Sequence, residues 1–599
     1  MIHSTFMVRT ALACAVAVPA VAAHAANAQP NCQVDFVKQA FAGDTLTEVL
    51  SVRAYSKGDT LQTQPVLLNA TADLCAVKLR VGPGSPGAAG DPSTQAGIGI
   101  EIWLPTGADW DGRIHALGGG GFVGVTQITS LTEISAGTSN AEPPAVIAGR
   151  EHSVTAATDT GHVSTPVEGR PNRNGSFLML PDGSPNLAQW QDYSERGIHE
   201  MSVKTKRLTA QYYDTPARHA YFEGCSTGGR QAHKYAQRFP DDYDGIVAGA
   251  SAINFTRFSV GAMYPQIVMQ RELGRVIEQD KLALVSSAAV SACDSQLTGK
   301  HEGFISDPAA CQYDPTQDKS VLCTTDGGSN TGTSCLSRQE AAAINKFWYG
   351  PTVDGSVPSP AKANGFSATL APDQLWFGPT RGTVLMMADS HNGKAKPISI
   401  SAHITALIAG DGKLAPPTFV NRHANGADGW KSLGYADLVR LNKQGIARQG
   451  EFSQINTDDP DLSRFAERGG KIIAFHGLND PLIPPQGTYN YYQRLAENMG
   501  GIAKLDEFYR FFPVPAMGHC GSVGSTPGLP GVSPEADPPL PRHGQFYKAL
   551  TQWVEEDAAP QKLTLSNRQK NLERPLCKYP SKLHFKGGDT DKVTSYDCI

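Results

Sequence analysis

The stretch Gly224-Cys225-Ser226-Thr227-Gly228-Gly229 constrains this chain more than any other. It has the G-x-S-x-G form of a nucleophile elbow, a sharp strand-to-helix turn that small flanking residues permit. Residues 219–222 read as a short strand entering it and 229–239 as a helix leaving it. That context raises a pattern that also arises by chance to an expectation that Ser226 is a nucleophile on an α/β sheet. The alternative is a glycine-rich turn with an idle serine. The variable position is a cysteine, and far downstream His519 is directly followed by another, Cys520. A disulfide between Cys225 and Cys520 would tie the residue before the serine to the residue after its base.

A serine hydroxyl needs a base in hydrogen-bond reach, an orienter for that base and donors for the oxyanion. His519 follows a predicted strand at 508–514, in Ala516-Met517-Gly518-His519-Cys520, where a loop histidine can reach the elbow. Asp480 follows a predicted strand at 471–475, in His476-Gly477-Leu478-Asn479-Asp480-Pro481. The chain order Ser226, Asp480, His519 is that of α/β-hydrolases. Gly118 to Gly121, after a predicted strand at 113–117, offer backbone N–H groups unobstructed by Cβ atoms. Gly121 and the backbone of Thr227 are assigned to the oxyanion hole. A phosphate-binding reading of the glycine run fails because neither a P-loop Lys-Ser/Thr nor a dinucleotide spacing is present.

Residues 1–28 read as a secretory signal, with Arg9, an apolar run from Ala11 to Ala23 and Ala26-Asn27-Ala28 as the cleavage site. Cys14 follows Ala-Leu-Ala as a lipoprotein cysteine would, but the apolar run continues past it. A soluble protein exported to the periplasm or beyond is expected. Loss of Cys14 with the signal leaves ten of eleven cysteines, an even number in an oxidising compartment, which points to disulfides. A net charge of -5 over 599 residues, with no basic block, gives no case for nucleic acid or a membrane surface. The partner is expected to be a small molecule, with no organic cofactor, and the sequence leaves the oligomeric state open. Strand-like runs at 98–104, 113–117, 219–222 and 245–248, then at 471–475 and 508–514, bracket an irregular stretch. The expected architecture is an α/β-hydrolase fold with a large inserted lid: residues 29–251 and 466–599 form a discontinuous catalytic domain and 252–465 the lid.

Several separated segments resemble the tannase and feruloyl esterase family, which includes the hydrolase of mono(2-hydroxyethyl) terephthalate. They are Ala157-Thr158-Asp159-Thr160-Gly161-His162, Tyr221 to Arg230 around the elbow, Phe239-Pro240-Asp241-Asp242-Tyr243-Asp244-Gly245-Ile246, His476-Gly477 with Asp480, Gly518-His519-Cys520, and the tail Arg574-Pro575-Leu576-Cys577-Lys578-Tyr579-Pro580. The resemblance implies a serine esterase acting on esters of aromatic acids. It also implies the pairing Cys32 with Cys75, Cys225 with Cys520, Cys293 with Cys311, Cys323 with Cys335 and Cys577 with Cys598. Sequence alone does not choose that connectivity.

The resemblance further implies one structural calcium ion in the lid, held by a motif like Cys-Asp-x-x-Asp-Gly-x-x-Asp-Gly. Here Cys293-Asp294 is kept, the stretch is one residue longer, Thr298 stands where the second aspartate is expected, and Glu302 replaces the third. The ligand set carried over is Asp294, Thr298, Lys300, Glu302 and Phe304; the alternative is a loop held by Cys293 and Cys311 alone. Fewer carboxylates mean weaker calcium binding.

For the acyl group, Trp348, Tyr349, Trp376, Phe377 and Ile483 are candidate apolar walls, each with a core role as the bland alternative. A carboxylate-bearing substrate would want a cation, for which Arg381, Lys394 and Lys396 are the nearest candidates. The expected reaction is hydrolysis of feruloyl or related hydroxycinnamoyl esters, with galloyl esters or the terephthalate monoester next. A serine peptidase and a silent binding protein are the readings from other classes.

Overall fold

The structure is a computed structural model, and it describes residues 1, 30–62, 67–135, 142–167, 171–385, 397–521 and 536–599. The segment expected to be a signal, residues 1–28, lies outside the described residues apart from Met1, as do Lys394 and Lys396.

Nine strands form one sheet: β1 (Thr47–Tyr55), β2 (Leu74–Val81), β3 (Ile98–Pro105), β4 (Arg113–Leu117), β5 (Val154–Thr158), β6 (His219–Cys225), β7 (Gly245–Gly249), β8 (Lys471–Gly477) and β9 (Tyr509–Val514). Their order is β1-β2-β3-β5-β4-β6-β7-β8-β9. The first three and β5 pair antiparallel, and from β5 through β4 to β9 every pairing is parallel. β7, Gly-Ile-Val-Ala-Gly, is buried throughout, as a central parallel strand covered on both faces must be.

One face carries helices α2 (Gly197–Tyr213), α3 (Thr227–Arg238) and α7 (Gln486–Asn498), whose Met201, Leu208, Tyr235, Tyr491 and Leu495 join the apolar side chains of the strands. The other carries α8 (Gln545–Glu556), with Phe546, Leu550 and Trp553 against Val247, Ile473 and Phe512; α1 (Pro144–Glu151) packs Ala145 and Ala148 on Trp103. Among the described residues, 252–465 add no strand to this sheet. They supply helices, among them α4 (Phe255–Gly261), α5 (Ser399–Ala409) and α6 (Tyr435–Ala447). Their apolar cluster runs from Ile344, Phe347 and Leu441 onto Phe122, Phe177 and Tyr193 of the sheet-forming part.

Register aligns the carboxyl ends of the parallel strands. Leu117 pairs with Glu223, Cys225 with Gly249 and Gly249 with Phe475, so the loops after β4, β6 and β8 leave at one edge, the usual location of ligand sites in α/β sheets. Gly118, Gly224 and Gly228 meet there. A Cβ on Gly224 would lie 2.6 Å from the carbonyl of Gly228, and one on Gly118 would lie 2.7 Å from the Gly228 Cα. The glycines are therefore what lets the oxyanion-loop candidate and the elbow touch backbone to backbone.

Five disulfides are present, Cys32–Cys75, Cys225–Cys520, Cys293–Cys311, Cys323–Cys335 and Cys577–Cys598, which is also the pairing the resemblance implies.

Gly224→Ala should cost about 1–3 kcal/mol through overpacking. Gly450→Ala, where an added Cβ meets nothing within 4 Å, should stay within about 0.5 kcal/mol. Equal midpoints for the two variants in a denaturant titration would contradict the close-approach account.

Candidate functional site

Ser226 stands between β6 and α3 with φ 65° and ψ -120°, a strained backbone for a residue with a side chain and the expected signature of an elbow. The strain is held by hydrogen bonds on both sides: Ser226 N–H donates to Gly249 C=O at 2.9 Å, and Ser226 C=O accepts from Ala252 at 3.1 Å and Arg230 at 3.0 Å.

His519 Nδ1 lies 2.7 Å from Asp480 Oδ2, so this nitrogen carries the proton and Nε2 is left as the proton acceptor. The loop bearing His519 and the elbow bearing Ser226 are joined by the Cys225–Cys520 bond. The loops after β8 and β9 also interlock: Asn479 N–H donates to Met517 C=O at 2.9 Å, and a Cβ on Gly477 would stand 2.3 Å from that same carbonyl. From residues 252–465, Thr380 Oγ1 donates to Leu478 C=O at 2.6 Å, pinning the aspartate loop from above.

Asp480 is fully buried. Burial alone would raise its pKa, but the charge of His519 and hydrogen bonds from His476 and His519 outweigh it and hold the carboxyl well below the usual carboxylate range. Its Oδ1 accepts from the N–H groups of Leu482 at 2.8 Å and Ile483 at 3.0 Å. His476, buried, has Nε2 3.1 Å from Asp480 Oδ2 and 3.0 Å from Ile483 C=O, two acceptors, so that nitrogen carries a proton; Nδ1 meets Thr488 Oγ1 at 2.8 Å. The sequence marked His476 only as part of a motif. A histidine four residues before the acid, at the end of the same strand, was the signal for its role.

The sign of the pH effect follows from the depressed Asp480. Its ion pairing contributes stability that is complete above the ordinary carboxylate range and is lost only as pH falls below that range toward its lowered value.

The glycine run turns sharply. Val123 N–H donates to Gly120 C=O at 2.8 Å, and Gly121, at the corner, has φ 55°. A Cβ on Gly121 would collide with Asn172 C=O at 2.3 Å, so this position requires glycine. Thr227 begins α3 and is buried, and the first N–H groups of a helix have no intrahelical acceptor. The segment Asp159 to His162 braces this loop from behind. Asp159 C=O accepts from Gly124 N–H at 3.2 Å, and the His162 ring stacks on Phe177, which in turn meets Phe122 edge-on.

An apolar slot lined by Phe258, Phe347, Phe377, Leu385, Ile398 and Leu482 runs up to Asp480. Ile400, at the start of α5, approaches Gly121 so closely that a Cβ there would lie 3.2 Å from its Cδ1. Phe377 lines the slot, whereas Trp376 packs beneath Gly261 and Gly487. Ile483 holds Asp480 and His476 through its backbone. Arg381 is 3 % exposed; its Nε donates to Tyr313 C=O at 2.9 Å, it also donates to Asn364 C=O, and it stands over the Trp348 ring. Burial lowers its pKa to about 10. The guanidinium is committed to backbone carbonyls and does not line the slot.

The residues carried over for calcium do not fit that ion. Among the described residues no group of three or more His, Cys, Asp or Glu side chains is arranged to hold a metal. Glu302 instead takes Arg574 of the tail through both oxygens, at 2.5 and 2.9 Å, with Thr298 and Ser306 hydroxyls donating as well. Asp294 is occupied by His301 at 2.7 Å and by Gly303 N–H at 2.9 Å, and the Lys300 ammonium reaches Thr590 Oγ1. Phe304 lies under the Arg574 guanidinium, 5.8 Å from its ring centroid. A fixed cation already neutralises Glu302, and a second beside it would be repelled.

Calcium or EDTA at millimolar concentration should therefore move the melting temperature by less than about 1 °C. Arg574→Met should cost about 3–5 kcal/mol, because it leaves Glu302 buried and unpaired. A calcium-dependent rise in melting temperature would refute the substitution of guanidinium for metal.

The family model described as tannase and feruloyl esterase matches residues 88–599. A protein named probable feruloyl esterase from Arthroderma benhamiae is 30% identical over 568 residues, covering 93% of this chain and 91% of that one. The crystal structure of feruloyl esterase B from Aspergillus oryzae superposes with a TM-score of 0.70 at 25% identity, covering 95% of this chain and 100% of the other. A tannin acyl hydrolase from Aspergillus niger shares the fold, with a TM-score of 0.68 at 20% identity over 95% of each chain.

Proposed function

Because this chain belongs to the tannase and feruloyl esterase family and is a carboxylic ester hydrolase, we propose that it cleaves hydroxycinnamoyl esters through an acyl-enzyme on Ser226, with His519 as base and Asp480 as its orienter. One observation carries this reading: a 2.7 Å His519–Asp480 pair covalently joined, through Cys225–Cys520, to a strained serine elbow.

In the mechanism, His519 Nε2 takes the Ser226 proton as Oγ attacks the ester carbonyl, and the N–H groups of Gly121 and Thr227 receive the oxyanion. The imidazolium then returns the proton to the leaving alcohol, and a water activated the same way releases the acid. Asp480, kept ionised by its two histidines, stabilises that imidazolium. His476 is in this reading the group that holds Asp480 in place.

Residues 252–465 act as a lid, with the apolar slot taking the aromatic acyl group. The commitment of Arg381 to carbonyls weighs against an acyl group with a free carboxylate, such as the terephthalate monoester. That relatives are named feruloyl esterases supports hydroxycinnamoyl rather than galloyl esters as the substrate of this chain. The five disulfides, together with the signal read at 1–28, support export to the periplasm or beyond.

Purified protein should release acid from methyl ferulate faster than from methyl gallate or mono(2-hydroxyethyl) terephthalate, and Ser226→Ala should abolish release. Asp480→Asn should lower kcat by about 10⁴-fold. Turnover that survives in Ser226→Ala would remove the nucleophile assignment, and faster release of gallate would redirect the substrate.

A further inference from the structure

We infer that the hydroxyls of Tyr193 and Thr227 are positioning groups that fix the oxyanion hole, by jointly holding the carbonyl of Gly121. The inference rests on the reading above of Ser226 as nucleophile and of the Gly121 and Thr227 N–H groups as oxyanion donors.

Tyr193 Oη donates to Gly121 C=O at 2.9 Å and Thr227 Oγ1 donates to the same oxygen at 2.6 Å. Both residues are buried, Tyr193 completely. A run of four glycines is the most permissive backbone available, so its conformation must be imposed from outside. Two constraints do so. The Gly121 N–H belongs to the peptide whose carbonyl, that of Gly120, is held by Val123 N–H at 2.8 Å. On the far side of the Gly121 Cα, the next peptide is held by the two hydroxyls and by Phe122 N–H donating to Asn172 C=O at 2.8 Å. With both peptides fixed, the Gly121 N–H cannot swing. Among the described residues it has no hydrogen-bond partner, as a donor kept for a developing oxyanion should be.

Both hydroxyls are tied to the helix that starts at the nucleophile, one carried by its first residue and the other on a segment that the helix holds. Thr227 is the first residue of α3, so one residue offers its N–H as one donor and fixes the other donor through its side chain. Tyr193 is held by the same helix: Arg230 donates to Tyr193 C=O at 3.2 Å and Ser194 C=O at 3.1 Å, and its guanidinium stands 4.9 Å from the Tyr193 ring centroid. Tyr193 lies in a π-helical turn, Asp192–Arg196, inserted between α-helical segments. Such turns are rare and are frequent at functional sites. The hole is thus registered to Ser226 rather than to the strand that delivers the glycines.

The test uses Tyr193→Phe, Thr227→Val and Thr227→Ser in the full-length protein. Hydrolysis of methyl ferulate gives kcat and KM, and inhibition by phenylboronic acid, which forms a tetrahedral adduct at a reactive serine, reports the oxyanion hole. Removing a whole oxyanion donor costs about 10²–10³-fold in kcat, so loosening one should cost about 10-fold or more. We expect that loss in Tyr193→Phe and Thr227→Val, with KM within about twofold and boronate affinity falling in parallel with kcat/KM. Thr227→Ser, which keeps the hydroxyl, should recover most of the loss. Should Tyr193→Phe not fold, the Thr227 pair decides alone. The inference is overturned if kcat is unchanged in Thr227→Val, if Thr227→Ser is as impaired as Thr227→Val, or if kcat falls without weakening the boronate. Fluorophosphonate labelling separates the two levels. A parent protein labelled at Ser226 whose variants behave like it refutes only the positioning role, whereas an unlabelled parent removes the serine reading and this inference with it.

Discussion

The contact among Gly118, Gly224 and Gly228 sets the geometry on which the rest of the site depends. Three backbone segments approach within distances that no Cβ would allow. The candidate site is measured from that point: the turn at Ser226 bends there, the glycine run starts there, and α3 departs from there. Dispersion in such a contact is modest per atom, but the close approach of the three backbones leaves them little room to shift. The strained Ser226 backbone is tolerated because its own N–H and C=O are both engaged by neighbouring loops.

Much of the sheet was legible in the sequence, because short apolar runs bounded by glycine mark buried parallel strands. β4 falls at 113–117 as read, and β3, β6, β7, β8 and β9 extend or trim the reading by one to three residues. β1, β2 and β5 escaped. β1 is half exposed at the sheet edge, and β2 contains Lys78, whose burial depends on a 3.1 Å partnership with Glu101 that no local pattern announces. In the candidate site, the residues that the sequence singles out are those with short-range signatures: a serine between glycines, a histidine beside a cysteine, an aspartate after a strand. Tyr193 was invisible because its contact lies 72 residues away and its turn interrupts a helical pattern. Arg381 was misleading for the opposite reason. An arginine in an insertion suggests a ligand, and only the tertiary structure reveals the carbonyls of Tyr313 and Asn364 that engage it.

The Glu302–Arg574 pair places a guanidinium of the tail where the resemblance implies a metal ion. The tail that carries Arg574 also carries Cys577, bonded to Cys598, so the guanidinium is delivered by a segment that is itself stapled. A metal site responds to the calcium concentration outside the molecule, whereas a guanidinium is present wherever the chain is folded. The loop that carries Glu302 is in this way anchored to the tail.

The Cys225–Cys520 bond spans 295 residues. In synthesis from the amino terminus, the turn at Ser226 is made long before the chain reaches Asp480 and His519, and the sheet must await β8 and β9. A chain that stops anywhere between Ser226 and His519 would hold the proposed nucleophile without its proposed base. On the proposed roles, reactivity is a property of the finished molecule, because the Cys225–Cys520 bond cannot form until the chain has reached Cys520.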